Sequence, residues 1–173
     1  MLLAYLLLIN SIIWQEDFTA NLSTMEQLYE YTVDISHEKG NAHLTGNPKK
    51  EGGSSAWYYL DDCDRKIAIS DNDILEITLK VNANTARIKY FYHRKGFSSY
   101  KAGEKLISSD SKAQTIRLSL KETKHFYSGN HPYALTPGST PSLFIFIDNL
   151  KPGKFDIEID RIALVKGEAG GEQ

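Results

Sequence analysis

A single cysteine, Cys63, among 173 residues excludes an internal disulfide framework and a thiolate-rich metal cluster. In the run Asp61-Asp62-Cys63-Asp64 the thiol stands among carboxylates, which disfavour its thiolate and a nucleophilic role. Charge of one sign is not in excess either: 20 Lys and Arg against 22 Asp and Glu leave a formal −2. That balance excludes whole-molecule attraction to nucleic acid or to an anionic membrane surface. No apolar run reaches the ~20 residues of a membrane-spanning helix. Long amphipathic helical patterns and internal repeats are missing too. So are a Gly-rich phosphate loop, HExxH, GxSxG and any Cys/His ligand spacing, and the five histidines are scattered.

What the chain does have is rings and alternation. Ten Tyr, seven Phe and two Trp suit a β core and flat ligand contacts. Period-2 patterning recurs, as a half-buried strand requires. In DILEITLKV, Leu75, Ile77, Leu79 and Val81 face one way, and Glu76, Thr78 and Lys80 the other. ARIKYFYHR sets Ile88, Tyr90 and Tyr92 against Lys89, Phe91 and His93. In FDIEIDRIALV the apolar positions Phe155, Ile157 and Ile159 slip phase to Ile162 and Leu164, which predicts a bulge at Asp160–Arg161. Turn signals such as GNPKKEGG, NANT, LTPGSTP and KPG separate the runs. Only NLSTMEQLYEY (21–31) permits a helical turn or two. The pattern predicts eight to ten strands in one all-β domain, an antiparallel β-sandwich of jelly-roll type.

Residues 1–13 read as a signal peptide or as a first strand, residues 14–166 as the sandwich, and 167–173 as a flexible tail. A cleaved leader, with the Asn21-Leu22-Ser23 sequon, implies a secreted, extracellular protein. Paired carboxylates such as Asp61/Asp62 or Asp156/Glu158 could serve glycoside hydrolysis. On an alternating strand, however, a wet face alone explains the latter pair. GGSSAWYYL puts Trp57 and Tyr59 on one face, with Tyr58 and Leu60 on the other, and only one face can be core. Rings on an outer face beside charged groups can cover the C–H face of a sugar while the charges bind hydroxyls. Loop 121–142, rich in His, Tyr and Pro, is a second place for specificity. Acids near strand ends and carbonyls of Gly/Asn turns suit a hard, oxygen-seeking ion, Ca²⁺ being the natural choice.

Three segments, WQEDFT (14–19), EKGNAHLTG (38–46) and the closing hairpin FIDNLKPGKFDIEIDRIALV (146–165), together resemble the galactose-binding-like β-sandwich superfamily, in particular its carbohydrate-binding modules. The resemblance spans about 150 residues. It implies non-catalytic binding of polysaccharide and a structural Ca²⁺ held by Glu16, Asp17, the carbonyls near Lys39 and Asn41, and Asp160. Thr19 stands where many members have an acid. For the glycan, Trp57, Tyr59, Tyr90, Tyr92 and Arg117 speak for the concave sheet face, and Tyr127, His131 and Tyr133 for the loop rim. An appended catalytic domain or self-association fits such a module. Two other readings use the same fold: a structural, self-assembling extracellular protein, and a jelly-roll lyase or hydrolase with a base set such as Tyr92, His93 and Arg94.

Overall fold

The computed structural model describes residues 12–18, 26–27, 33–38, 40–51, 55–61, 69–93, 99–109, 112–121, 124–127 and 142–167. These hold twelve strands: β1 (Ile12–Glu16), β2 (Glu26–Gln27), β3 (Asp34–Glu38), β4 (Asn41–Gly46), β5 (Ser55–Asp61), β6 (Asp73–Ala83), β7 (Thr85–His93), β8 (Ser99–Ser108), β9 (Gln114–Ser119), β10 (Lys124–Tyr127), β11 (Ser142–Asn149) and β12 (Phe155–Lys166). They form two six-stranded antiparallel sheets. The first runs β3-β4-β12-β6-β9, with β1 also paired to β12; the second runs β10-β8-β7-β11-β5-β2. Among the described residues there is no helix. The segment that permitted a helical turn contributes only the two-residue β2, while residues 1–11 and the remainder of 21–31 lie outside the described residues.

Alternation decides what lies between the sheets. From the first sheet come Leu44, Leu75, Ile77, Leu79, Val81, Ile157, Ile159, Ile162 and Leu164; from the second, Ile88, Leu143, Ile145 and Ile147. All but Leu79, at 1%, are fully buried. Burying an aliphatic side chain of this size is worth roughly 1.5–3 kcal/mol, so this interleaved layer is the main source of stability. The bulge occurs where alternation predicts it. On β12, Ile159 pairs with Leu79 and Arg161 with Thr78, leaving Asp160 without a partner on β6.

The stretch read as a closing hairpin is instead a crossing. β11 pairs with β5 and β7 in the second sheet, whereas β12 belongs to the first. The KPG turn (151–153), with Gly153 at φ 114°, therefore carries the chain from one layer to the other. Two more crossings, β4 to β5 and β6 to β7, lie at the same end and are laced to it. Gly153 N donates to Pro48 O (2.9 Å) and Leu150 N to Thr85 O (2.9 Å). The Asn149 amide, fully buried, donates to the carbonyls of Lys50 and Lys151 (both 2.9 Å). Asn84 Nδ2 also reaches Lys151 O (2.7 Å). Gly167, assigned by sequence to the tail, is anchored by a hydrogen bond from its N–H to Asn72 O (2.9 Å).

Candidate functional site

On β11 the outer face of the second sheet carries rings where the inner face carries aliphatics. On β11, Leu143, Ile145 and Ile147 go to the core, so Phe144, Phe146 and Asp148 take the opposite side. Phe144 and Phe146 are 8% and 9% exposed yet belong to no part of the inter-sheet core; they form a close-packed floor. Their rings stack at 6.4 Å, and Phe91 meets Phe146 edge-on at 5.4 Å. Cross-strand register sets Trp57 opposite Phe146 and Tyr59 opposite Phe144 on β5, and Phe91 opposite Phe144 on β7. Beside the rings, Arg87 grips Asp148 with Nε (2.8 Å) and Nη2 (3.0 Å), and Nη1 reaches Glu51. Lys89 Nζ lies 3.5 Å from the same Asp148.

This placement corrects part of the sequence reading. Tyr90 and Tyr92 are core residues, 4% and 3% exposed, and their hydroxyls donate to the carbonyls of Ser119 and Ile69 (both 3.0 Å). Lys89 and Phe91 take the outer face that the reading gave to those two tyrosines. Arg117 is on the other sheet, exposed and paired with Glu76 (3.2 Å), so it cannot share a site with Trp57 and Tyr59. Tyr127 pairs with Ser99 at the β10 edge; His131 and Tyr133 lie outside the described residues. Asp148, the next-to-last residue of β11, faces Arg87.

A second constellation lies at one junction on β12. That strand pairs with β4 through Ile159 and with β1 from Ile162 onward, while β6 lines its other edge throughout. The change of neighbour falls at Asp160. The end of β1 and the start of β4 therefore meet β12 on either side of Asp160, the part of the fold to which the resemblance assigns a Ca²⁺. Lys39 lies outside the described residues. Its neighbour Gly40 takes a left-handed φ of 83°, and buried Phe18 is left-handed too, at 54°. A bulky residue in that region costs about 1–3 kcal/mol. Glu16 helps to hold it, accepting the Phe18 N–H at 3.0 Å.

The Asn41 amide sits against Gly40 O (3.1 Å) and Asp160 Oδ1 (3.2 Å), and donates to both when its nitrogen faces them. Among the described residues, no three His, Cys, Asp or Glu side chains gather as a metal-binding group. An ion here would rely on amide and backbone oxygens beside the carboxylates.

Asp156 and Glu158, on the outer face of the first sheet, are not set up as an acid and a base. A single amide, Asn82 Nδ2, donates to both, at 3.1 and 2.8 Å. His43 Nε2 lies 3.0 Å from Asp156 Oδ1 and Lys154 Nζ 3.0 Å from Oδ2. Burial opposes ionisation of Asp156, but hydrogen bonds from His43, Asn82 and Lys154 outweigh it and hold the pKa at about 2, against 3.8. A carboxylate whose folded pKa is depressed contributes stability that is present above its unfolded pKa and lost as pH falls through the folded one. The wild type is therefore expected to lose part of its stability between about pH 4 and pH 2. Asp156→Asn should show a smaller drop over that window in thermal melts; an identical drop would remove Asp156 as its source.

No protein-family model matches the sequence, and no curated protein matches it. Solved structures do. A family 11 carbohydrate-binding module from Clostridium thermocellum, in complex with a β-1,3-1,4-mixed-linked tetrasaccharide, is 14% identical. The alignment covers 88% of this chain and 95% of that one, with a TM-score of 0.54. The CBM22-1 xylan-binding domain of Paenibacillus barcinonensis Xyn10C is 12% identical over 91% and 96% of the two chains, with a TM-score of 0.52. The agarase AgWH50C matches over 91% of this chain but 26% of its own length, at 8% identity and a TM-score of 0.57. At such identities the likeness establishes architecture and no more: the chain has the β-sandwich fold of carbohydrate-binding modules.

Proposed function

We propose that the chain is a non-catalytic polysaccharide-binding module of a secreted protein, and that the glycan lies on the outer face of the second sheet. The observation that carries this reading is the aromatic band of Phe91, Phe144 and Phe146 opposite the register positions of Trp57 and Tyr59. Asp148 and Lys89 stand at its edge. Rings exclude water from the C–H face of a sugar, and charged groups replace water at its hydroxyls. Neighbours of the same fold support it, one a xylan-binding domain and one bound to a mixed-linked tetrasaccharide. Because each protein–hydroxyl bond replaces a water–hydroxyl bond, one site should bind in the roughly micromolar to millimolar range. The apolar N-terminal run supports export, and the oxygen-rich junction at Asp160 supports a structural Ca²⁺.

Native affinity electrophoresis through polysaccharide-containing gels tests the glycan claim. Retardation by at least one polymer is expected, with Phe91→Ala weakening it about tenfold, equivalent to ~1.4 kcal/mol. Unchanged retardation in that variant would move the site off this face. Absence of retardation by a broad set, with concentration-dependent self-association, would favour the structural-protein reading.

A further inference from the structure

We infer that the glycan taken by this face is a neutral polysaccharide, and not a uronate-rich or sulfated one. The inference rests on the carbohydrate-binding reading and concerns only the class of sugar. A carboxylated or sulfated chain is held by cations with donors to spare, above all by the two-pronged guanidinium of arginine. On the described part of this face the cations are Arg87 and Lys89. Arg87 has none of its three nitrogens uncommitted to an acid. Nε and Nη2 clasp Asp148 at 2.8 and 3.0 Å, and Nη1 is bound to Glu51. Lys89 faces the same Asp148 carboxylate at 3.5 Å. Cross-strand register sets Glu104 opposite Lys89.

Two cations therefore stand among three acids. The flanking register positions add two further acids, Glu26, paired with Trp57, and Asp61, paired with Ser142, and one lysine, Lys124, paired with Ala102. A polyanion laid on this sheet would have to break the Arg87–Asp148 fork or leave its own charge beside uncompensated carboxylates. Either loses more than it gains. A neutral sugar asks for neither. Its C–H face meets the rings, and its hydroxyls donate to the lone pairs that Asp148 and Glu51 still hold.

The test runs the intact chain through gels containing mixed-linked β-glucan, xylan, polygalacturonate, a sulfated galactan or chitosan, at low and at high salt. Retardation by a neutral polymer, changing less than about twofold with salt, is expected because no charge pairing is screened. Asp148→Asn, which releases half of the Arg87 fork, should gain retardation by polygalacturonate at low salt. Stronger retardation of the wild type by an acidic polymer or by chitosan, falling steeply with salt, would overturn the neutral-glycan inference and leave carbohydrate binding standing. No retardation by any polymer would instead overturn the carbohydrate reading itself. Should Asp148→Asn not fold, the wild-type panel decides alone.

Discussion

Gly103→Ala is expected to lower the unfolding free energy by about 2–4 kcal/mol. A Cβ on Gly103 would stand 2.5 Å from Tyr90 Oη and 2.6 Å from both Cε1 and Cζ, distances at which the ring must move. The ring has little freedom to move. Tyr90 is 4% exposed, and its hydroxyl donates to Ser119 O at 3.0 Å. Tyr90 is on β7 in the second sheet and Ser119 on β9 in the first, so this bond ties the two layers across the core. Displacing the ring both strains the packing and leaves a carbonyl without its donor. Urea unfolding should show the midpoint falling with an unchanged slope. Tyr90→Phe, which loses the bond but keeps the ring, should cost only about 1–2 kcal/mol. Gly153→Ala supplies the contrast: nothing lies within 4 Å of its Cβ, and only its φ of 114° opposes substitution. A loss below about 0.5 kcal/mol for Gly103→Ala would mean that Tyr90 does not pack against β8 as described.

The same tyrosine shows how far the sequence could be read. Alternation gave β7 two faces, Ile88/Tyr90/Tyr92 and Lys89/Phe91/His93, and that division is correct. Which face is inner was not decided by hydrophobicity, because both carry rings. The phenolic oxygens decide it: a buried Tyr needs an acceptor, and Ser119 O and Ile69 O supply one each. Those acceptors are 29 and 23 residues away, beyond any local pattern. On β11 the sequence does carry a signal. Its aliphatics Leu143, Ile145 and Ile147 alternate with Phe144 and Phe146, and that segregation by shape marks the ring-bearing face. Once β11 is oriented, its register sets Trp57 opposite Phe146 and Tyr59 opposite Phe144, a relation that no local pattern carries.

The crossing between β11 and β12 was illegible for a different reason. A tight turn flanked by two apolar strands has the composition of a hairpin. Here, however, β11 has both edges taken by β5 and β7, and β12 has its edges taken by β4, β1 and β6. Such neighbour relations are long-range and leave no mark on the turn. The bulge, by contrast, was legible at Asp160–Arg161, since a phase slip in an alternating strand marks an extra residue.

Calcium at about a hundred times its dissociation constant is expected to stabilise the fold by ~2.7 kcal/mol, and a chelator to remove that increment. For a chain of this size the melt should shift by roughly 5–10 °C. Phe18, a bulky residue 3% exposed, is held left-handed at φ 54°, with its N–H on Glu16 Oε1. Across β12, Gly40 is left-handed at 83°, and the Asn41 amide lies against Gly40 O and Asp160 Oδ1. Left-handed backbone just after β1 and just before β4 therefore brackets one bulged carboxylate, at the point where β12 changes neighbours. A divalent ion at this junction would join the segments through carboxylate and backbone oxygens. Asp160→Ala separates this role from ordinary packing. Asp160 is exposed, so with chelator present its loss should change the melt little, within the ±0.5 kcal/mol of a surface substitution. With Ca²⁺ present, the variant should show no calcium-dependent shift. A calcium-dependent shift that survives in Asp160→Ala would place the ion elsewhere, and a wild-type melt indifferent to both calcium and chelator would show that Asn41 and Asp160 simply hydrogen-bond to each other.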